Sequence, residues 1–186
     1  SEMCIRDRHH LGEVTYFSPL ADTSLPDAGF VYLPGGYPEL YLAALSANRQ
    51  MLQSIRRYVE SGGKLLAECG GMMYLCDEIR DKNGYVYPMA GVLHQSATME
   101  NMKLRLGYRT LLYNETRLKG HEFHYSRLVE QQNPLPSCAV AYTAKGVETD
   151  TPLYHYKNVW AGYTHLYWAD PVGNEWFTKF VIDGNT

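Results

Sequence analysis

The 186-residue chain lacks several features that would define its class at once. It has only four cysteines and no Cys-x-x-Cys pair, which argues against a zinc ribbon and against the dense disulfides of small secreted folds. No run of about 18 apolar residues could span a membrane, and no basic segment followed by an apolar one indicates a secretory signal. We therefore expect a cytoplasmic protein with reduced cysteines.

The chain also lacks an excess of charge of either sign. With 17 basic and 20 acidic side chains its net charge is −3, so a basic surface for nucleic acid or anionic membrane is not expected. An apolar content of 45% and the presence of 16 tyrosines argue against disorder. The length suits one domain with a hydrophobic core.

The N-terminal residues fit no pattern with the rest of the chain. The sequence does not begin with Met, and residues 1–10 share no periodicity with the residues after them. We expect residues 1–10 to be a non-native or disordered terminus and the domain to span residues 11–186.

Short apolar runs alternate with helical patterns in the first half of the chain. Strands are predicted at residues 14–17, 29–33 and 64–68, and helices at 38–46, 48–61 and 72–76. This order is typical of a parallel α/β sheet. After about residue 81 β-forming residues dominate, with strands predicted at 110–113, 123–126, 139–142, 153–156 and 160–165 and a closing helix at 175–182.

Cys69 follows a buried strand directly and is followed by two glycines. A strand that runs through a nucleophile into a helix is the nucleophile-elbow pattern. The glycine after the nucleophile leaves a backbone N–H for an oxyanion, and the helix N-terminus behind the thiol favours the thiolate. A buried structural cysteine before a tight turn is the alternative interpretation.

A second glycine-rich turn, Pro34-Gly35-Gly36, also follows a buried strand. Sites assemble at this carboxyl edge of open α/β sheets, so the loop could aim a second N–H at the same oxyanion. A histidine base distant in sequence is the usual companion of a catalytic cysteine, and His165 follows a strand far downstream.

Five motifs occur in an order that resembles a known family. Together they are similar to the C-terminal glutaminase domain of the cobyrinate a,c-diamide synthases, over residues 15 to 177: Pro34-Gly35-Gly36-Tyr37-Pro38-Glu39, Ala67-Glu68-Cys69-Gly70-Gly71-Met72-Met73-Tyr74-Leu75, Leu106-Gly107-Tyr108-Arg109, Gly120-His121-Glu122-Phe123-His124-Tyr125-Ser126 and Ala161-Gly162-Tyr163-Thr164-His165-Leu166.

The resemblance implies a class I, triad-type glutamine amidotransferase. Its expected fold is a flavodoxin-like α/β sheet with helices on both faces, lacking its first strand and helix. By the resemblance Cys69 attacks the glutamine side-chain amide, and His165 activates Cys69 and protonates the leaving ammonia. The backbone N–H groups of Gly36 and Gly70 are the oxyanion-hole candidates.

The third triad member is open. Many class I glutaminases carry a glutamate two residues after the histidine, on the same strand face, but Tyr167 occupies that position here. Tyr167, Glu122 and Asp170 are the alternatives beside a plain Cys-His dyad. Because a neutral phenol stabilises an imidazolium poorly, we expect the isolated glutaminase to be slow until a synthetase domain orders it.

His121 and His124 suggest a metal site only weakly, because they would face opposite sides of a strand and no third ligand is near. We expect neither a metal nor a cofactor in this chain.

The partners implied by the resemblance are glutamine and, through an N-terminal synthetase domain, a tetrapyrrole. ATP and magnesium are expected in that domain, because this chain has no Gly-x-x-x-x-Gly-Lys-Ser/Thr phosphate loop. The function implied is the glutaminase half of an ATP-dependent ligase that amidates the a and c carboxylates of cobyrinate in cobalamin biosynthesis. The alternatives are a cobyric acid or nickel-sirohydrochlorin amidating synthase, and an inert docking domain.

Overall fold

The computed structural model describes residues 13–183, so the segment 1–10 lies outside the described residues. The fold is mixed α/β with three sheets. Its strands are β1 (Phe30–Leu33), β2 (Lys64–Glu68), β3 (Glu78–Arg80), β4 (Val86–Pro88), β5 (Ser96–Thr98), β6 (Arg105–Tyr113), β7 (Thr116–His124), β8 (Arg127–Leu128), β9 (Val140–Thr143), β10 (Glu148–Thr149), β11 (Leu153–Tyr156), β12 (Val159–Gly162) and β13 (His165–Leu166).

Four α-helices accompany these strands in the part of the chain that is described. They are α1 (Leu42–Ala47), α2 (Arg49–Glu60), α3 (Gly70–Leu75) and α4 (Pro171–Trp176). A 3₁₀ turn over Pro38–Leu40 precedes α1, and a π-helical stretch over Phe177–Ile182 continues α4.

The central sheet has the strand order β1-β2-β12-β11. β1, β2 and β12 are parallel, and β11 pairs antiparallel with β12. Leu65, Leu66 and Ala67 of β2 are fully buried between these neighbours, as the continuous apolar run predicts. The strand predicted at residues 14–17 is wrong: this stretch pairs with no described strand, and β propensity alone does not stabilise a strand without one.

Helices α1, α2 and α3 cover one face of the central sheet. α2 buries Met51, Leu52, Ile55 and Val59 at helical spacing, as predicted. The Asn48 side chain caps α2 by accepting a hydrogen bond from the N–H of Met51 at 3.3 Å.

The other face packs against the C-terminal helix and a five-stranded antiparallel sheet, β10-β9-β6-β7-β13. Helices therefore lie on both faces, as expected, and the antiparallel sheet completes the second layer. The core here is aromatic: the Trp160 and Trp176 rings lie 5.0 Å apart, and those of Trp168 and Trp176 lie 6.4 Å apart. These are all three tryptophans of the sequence. Strands β4-β3-β5-β8 form the third sheet.

Candidate active site

Cys69 lies at a sharp turn between β2 and α3. Its N–H donates to the carbonyl oxygen of Gly162 at 2.7 Å, which continues the ladder between β2 and β12 by one residue. Its backbone then turns to φ 50° and ψ −112°, and α3 begins at Gly70. A positive φ is uncommon outside glycine and marks a held, strained turn of the kind that presents nucleophiles.

The glycine turn after β1 lies against this elbow. Gly35 has a φ of 101°, and a Cβ added there would lie 2.9 Å from the carbonyl oxygen of Glu68, 3.2 Å from Cε1 of His165 and 3.4 Å from Cβ of Cys69. Any side chain at Gly35 would therefore press on the catalytic candidates. This close approach of backbone to backbone is a physical reason for glycine here.

The two oxyanion-hole candidates belong to segments in direct contact. Gly36 has a φ of 135°, and a Cβ on Gly70 would lie 2.5 Å from the carbonyl oxygen of Gly36 and 2.7 Å from Cδ of Pro38. The structure thus brings Gly36 and Gly70 together beside Cys69, where donors to a developing oxyanion are needed.

His165 reaches the elbow from β13. Its Nδ1 lies 3.2 Å from Oε2 of Glu68, which leaves Nε2 as the nitrogen available to the Cys69 thiol. Burial disfavours the imidazolium, but hydrogen bonds to Cys69 and Glu68 outweigh it and raise the pKa of His165 to about 10. The structure therefore brings together the two residues that the sequence assigns to catalysis.

Glu68 is the candidate catalytic residue that the sequence interpretation missed. It is buried, and its carboxylate is fully partnered: Oε1 accepts the N–H of Leu166 at 3.1 Å, while Oε2 accepts the Tyr32 hydroxyl at 2.8 Å. With its contact to His165, Glu68 occupies the place of a triad carboxylate. The signal in the sequence was a charged residue that follows the apolar Leu65-Leu66-Ala67 and stands directly before the candidate nucleophile.

The three side chains considered from sequence as third member make other contacts. The Tyr167 ring stacks on His121 with centroids 5.8 Å apart. Asp170 pairs with Lys119 at 3.3 Å. Glu122 is completely buried and pairs with Arg109 at 3.0 Å. Among the described contacts, none of the three joins His165.

The hairpin of β6 and β7 also contacts the candidate active site. The Cys69 Sγ lies 3.8 Å from the carbonyl oxygen of Phe123 on β7. His121 pairs with His165 in the β7–β13 ladder, and their rings stack with centroids 5.2 Å apart. Burial, with the adjoining charge of His165, lowers the pKa of His121, so the neutral form of His121 is favoured beside the imidazolium.

His124 lies on the opposite face of β7 from His121. It is buried, its ring stacks on Tyr163 with centroids 3.8 Å apart, and its Nδ1 lies 2.9 Å from the carbonyl oxygen of Ser126. Among residues 13–183, no group of three or more His, Cys, Asp and Glu side chains is arranged to hold a metal ion. In the same part of the chain, no helix is long and apolar enough to cross a membrane.

Comparison with known protein families and sequences gives matches over most of the chain. The model of the CobB/CobQ-like glutamine amidotransferase domain matches residues 8–172. The chain is 39% identical over 160 residues to the hydrogenobyrinate a,c-diamide synthase of Pseudomonas aeruginosa, covering 83% of this chain and 35% of that protein. It is also 39% identical over 163 residues to the cobyrinate a,c-diamide synthase of Fusobacterium nucleatum, again covering 83% and 35%.

The chain thus spans about a third of the length of these curated relatives. Among solved structures it resembles a glutamine amidotransferase with a TM-score of 0.54 and 18% identity, covering 82% of this chain and 79% of the other. At that identity the likeness shows the fold alone.

Proposed function

Because the chain belongs to the CobB/CobQ-like glutamine amidotransferase family, we propose that it hydrolyses glutamine at Cys69 and delivers the ammonia to an amidation reaction. The observation that supports this most is the convergence of Cys69, His165 and Glu68 beside two glycine segments. A buried cysteine kept only for packing would not require this set of neighbours.

His165, whose pKa is raised to about 10, begins the reaction as the imidazolium and is paired with the Cys69 thiolate. The thiolate adds to the side-chain amide carbon of glutamine, and the N–H groups of Gly36 and Gly70 stabilise the oxyanion. His165 then gives its proton to the departing nitrogen, ammonia leaves, and a thioester remains on Cys69.

In hydrolysis of the thioester, His165 changes from proton donor to proton acceptor. Neutral His165 takes a proton from water, the resulting hydroxide adds to the thioester carbon, and the Cys69 sulfur leaves as glutamate forms. Glu68 holds the tautomer with a proton on Nδ1 and stabilises the imidazolium at each stage. Tyr32 and the N–H of Leu166 fix the carboxylate of Glu68.

The direct test is release of glutamate from glutamine by the purified chain. Cys69→Ala should abolish it, whereas Cys138→Ala, at a half-buried free cysteine in the other core, should preserve it. Equal loss in both variants would show a general effect on folding and would contradict the assigned nucleophile.

We further propose that the ammonia is used to amidate the a and c carboxylates of cobyrinate in cobalamin biosynthesis. The support is the activity for which the relatives at 39% identity are named, together with their greater length. In this proposal a synthetase domain, here called the amidoligase portion, binds ATP, magnesium and the tetrapyrrole. The additional length of the relatives is enough to hold such a domain. Free described cysteines suit a reducing compartment, and we place the reaction in the cytoplasm.

The proposal that cobyrinate accepts the ammonia is tested with the chain joined to such an amidoligase portion. Cys69→Ala should abolish glutamine-dependent amidation of cobyrinate and preserve amidation that uses added ammonia. Loss of both activities would mean that Cys69 is structural or serves the ligase chemistry.

A further inference from the structure

The outer face of the β6–β7 hairpin is apolar. Five side chains at alternate positions form it: Leu104, Leu106, Tyr108, Phe123 and Tyr125, with exposed fractions of 44%, 62%, 67%, 39% and 41%. Leu106 pairs with Phe123 in the ladder, and the rings of Phe123 and Tyr125 lie 6.0 Å apart. We propose that this outer face is the surface on which the amidoligase portion docks, an inference that rests on the proposed function.

The usual alternation of buried apolar and exposed polar side chains is inverted at the end of the hairpin away from its turn. A sheet with one solvated face normally buries apolar side chains and exposes polar ones. Here the inward positions carry Arg109, Glu122 and His124, whose side chains are 11%, 0% and 5% exposed. The apolar side chains point outward instead. A contiguous apolar face of this kind marks a surface made to be covered.

The outer face is continuous with the candidate active site. Phe123, one of its members, contacts the Cys69 thiol through its carbonyl oxygen. His121 lies between Phe123 and the hairpin turn, and its ring stacks on the catalytic candidate His165. A partner seated on the outer face would therefore border the place where ammonia is released, and it would shield the released ammonia from bulk water.

The charges around the outer face favour a partner over a second copy of this chain. Strands β6 and β7 contain one acidic residue, Glu122, which is buried against Arg109. A shallow groove of about 530 Å³ along the outer face is lined by Leu106, Tyr108, Val147 and the exposed Lys145. In a two-fold dimer the same patch faces itself, so the exposed Lys145 would face its own copy across the axis. A partner with an apolar centre and an acidic rim is complementary.

The length of the relatives identifies the occupant. This chain matches about 35% of each of them, so most of their length lies outside the glutaminase portion. A stable interface of ordinary size buries about 800 Å² on each partner, which needs a folded surface rather than a short segment. The occupant is thus the amidoligase portion, presenting an apolar patch with an acidic side chain opposite Lys145.

A matched pair of tyrosine variants tests the docking surface. Tyr108 on the outer face and Tyr85, before β4, are equally exposed, at 67% and 68%. In the chain joined to the amidoligase portion, Tyr108→Asp should lower the ratio of amide formed to glutamine hydrolysed at least tenfold. Tyr85→Asp should leave this ratio unchanged, and Leu106→Asp should repeat the effect of Tyr108→Asp.

Three outcomes overturn or separate the proposals. Equal ratios for Tyr108→Asp and Tyr85→Asp would overturn the docking surface. Sedimentation showing a dimer of the glutaminase chain that Tyr108→Asp dissociates would assign the face to a second copy instead. Absence of glutamine hydrolysis in the unsubstituted protein would contradict the proposed function itself, independently of the ratio.

Hydroxyl-radical footprinting of the unsubstituted joined protein removes any dependence on variant folding. Tyr108 and Tyr125 should be protected relative to the glutaminase chain alone, while Tyr85 stays reactive. Full reactivity of Tyr108 in the joined protein would overturn the proposal.

Discussion

Glu68 and His165 are 97 residues apart in the chain, yet Oε2 of Glu68 lies 3.2 Å from Nδ1 of His165. Glu68 also immediately precedes the candidate nucleophile, so one strand end supplies both the thiol and the carboxylate. The third member of the candidate triad then needs no position of its own after the histidine, where Tyr167 stands.

Removal of the Glu68 charge should slow glutamine hydrolysis strongly. In Glu68→Gln the imidazolium loses its counter-charge and the tautomer of His165 is no longer fixed, so we expect kcat to fall by about 10²–10⁴-fold. Steady-state glutamate release measures this. Glu78→Gln on β3 is the control and should stay near the original rate; a similar loss there would contradict a specific role for Glu68.

The raised pKa of His165 predicts how the protonation of its ring depends on pH. The imidazolium should persist well above neutral pH, since its pKa lies near 10 rather than 6.5. Ring-proton NMR titration measures this directly. Glu68→Gln should move the His165 pKa downward, and an unchanged titration in that variant would contradict the pairing.

A related effect on stability is expected in Cys69→Ala, where no thiol exchanges a proton with His165. A folded pKa held above the unfolded value by Glu68 adds to the free energy of unfolding below about pH 6.5, and this contribution is lost as the pH rises through the folded pKa. Urea titrations at several pH values should show that decline. Cys69→Ala combined with Glu68→Gln should show less of it.

Phenylalanine variants of two tyrosines compare the partner of Glu68, Tyr32, with the third triad member considered from sequence, Tyr167. Tyr32→Phe removes the hydroxyl that donates to Glu68, so we expect a stability loss of about 1 kcal/mol and a slower kcat. Tyr167→Phe keeps the ring that stacks on His121 and should retain kcat within about twofold. The reverse ranking would return Tyr167 to the catalytic set.

Close approach of the two glycine segments predicts a specific sensitivity. In Gly70→Ala the new Cβ would collide with the Gly36 carbonyl and Pro38, displacing the candidate oxyanion donors. We expect a stability loss of about 1–3 kcal/mol and a larger relative loss of kcat than of substrate binding. Gly29→Ala is the control, since a Cβ there meets nothing within 4 Å.

The sequence predicted the parts of this site that depend on local pattern. Cys69 and His165 follow apolar strands, and the glycines that allow tight turns stand beside them. Glu68 was missed because its contact depends on which strands lie side by side: β2 is next to β12, and β13 follows β12 after two residues. Such pairing is decided by packing across the whole chain rather than by neighbours in sequence. The strand predicted at residues 14–17 failed for the same reason.

All three tryptophans belong to the second core, so intrinsic tryptophan fluorescence reports on that core alone. Intrinsic emission arises from Trp160, Trp168 and Trp176, so it reports docking of the C-terminal helix onto the central sheet. The core beneath α1–α3 contains no tryptophan among the described residues and therefore contributes no tryptophan emission. Cys69 belongs to that core, so alkylation of its thiol during denaturation provides the complementary probe. Coincident curves from emission and alkylation would show that both cores unfold as one cooperative unit.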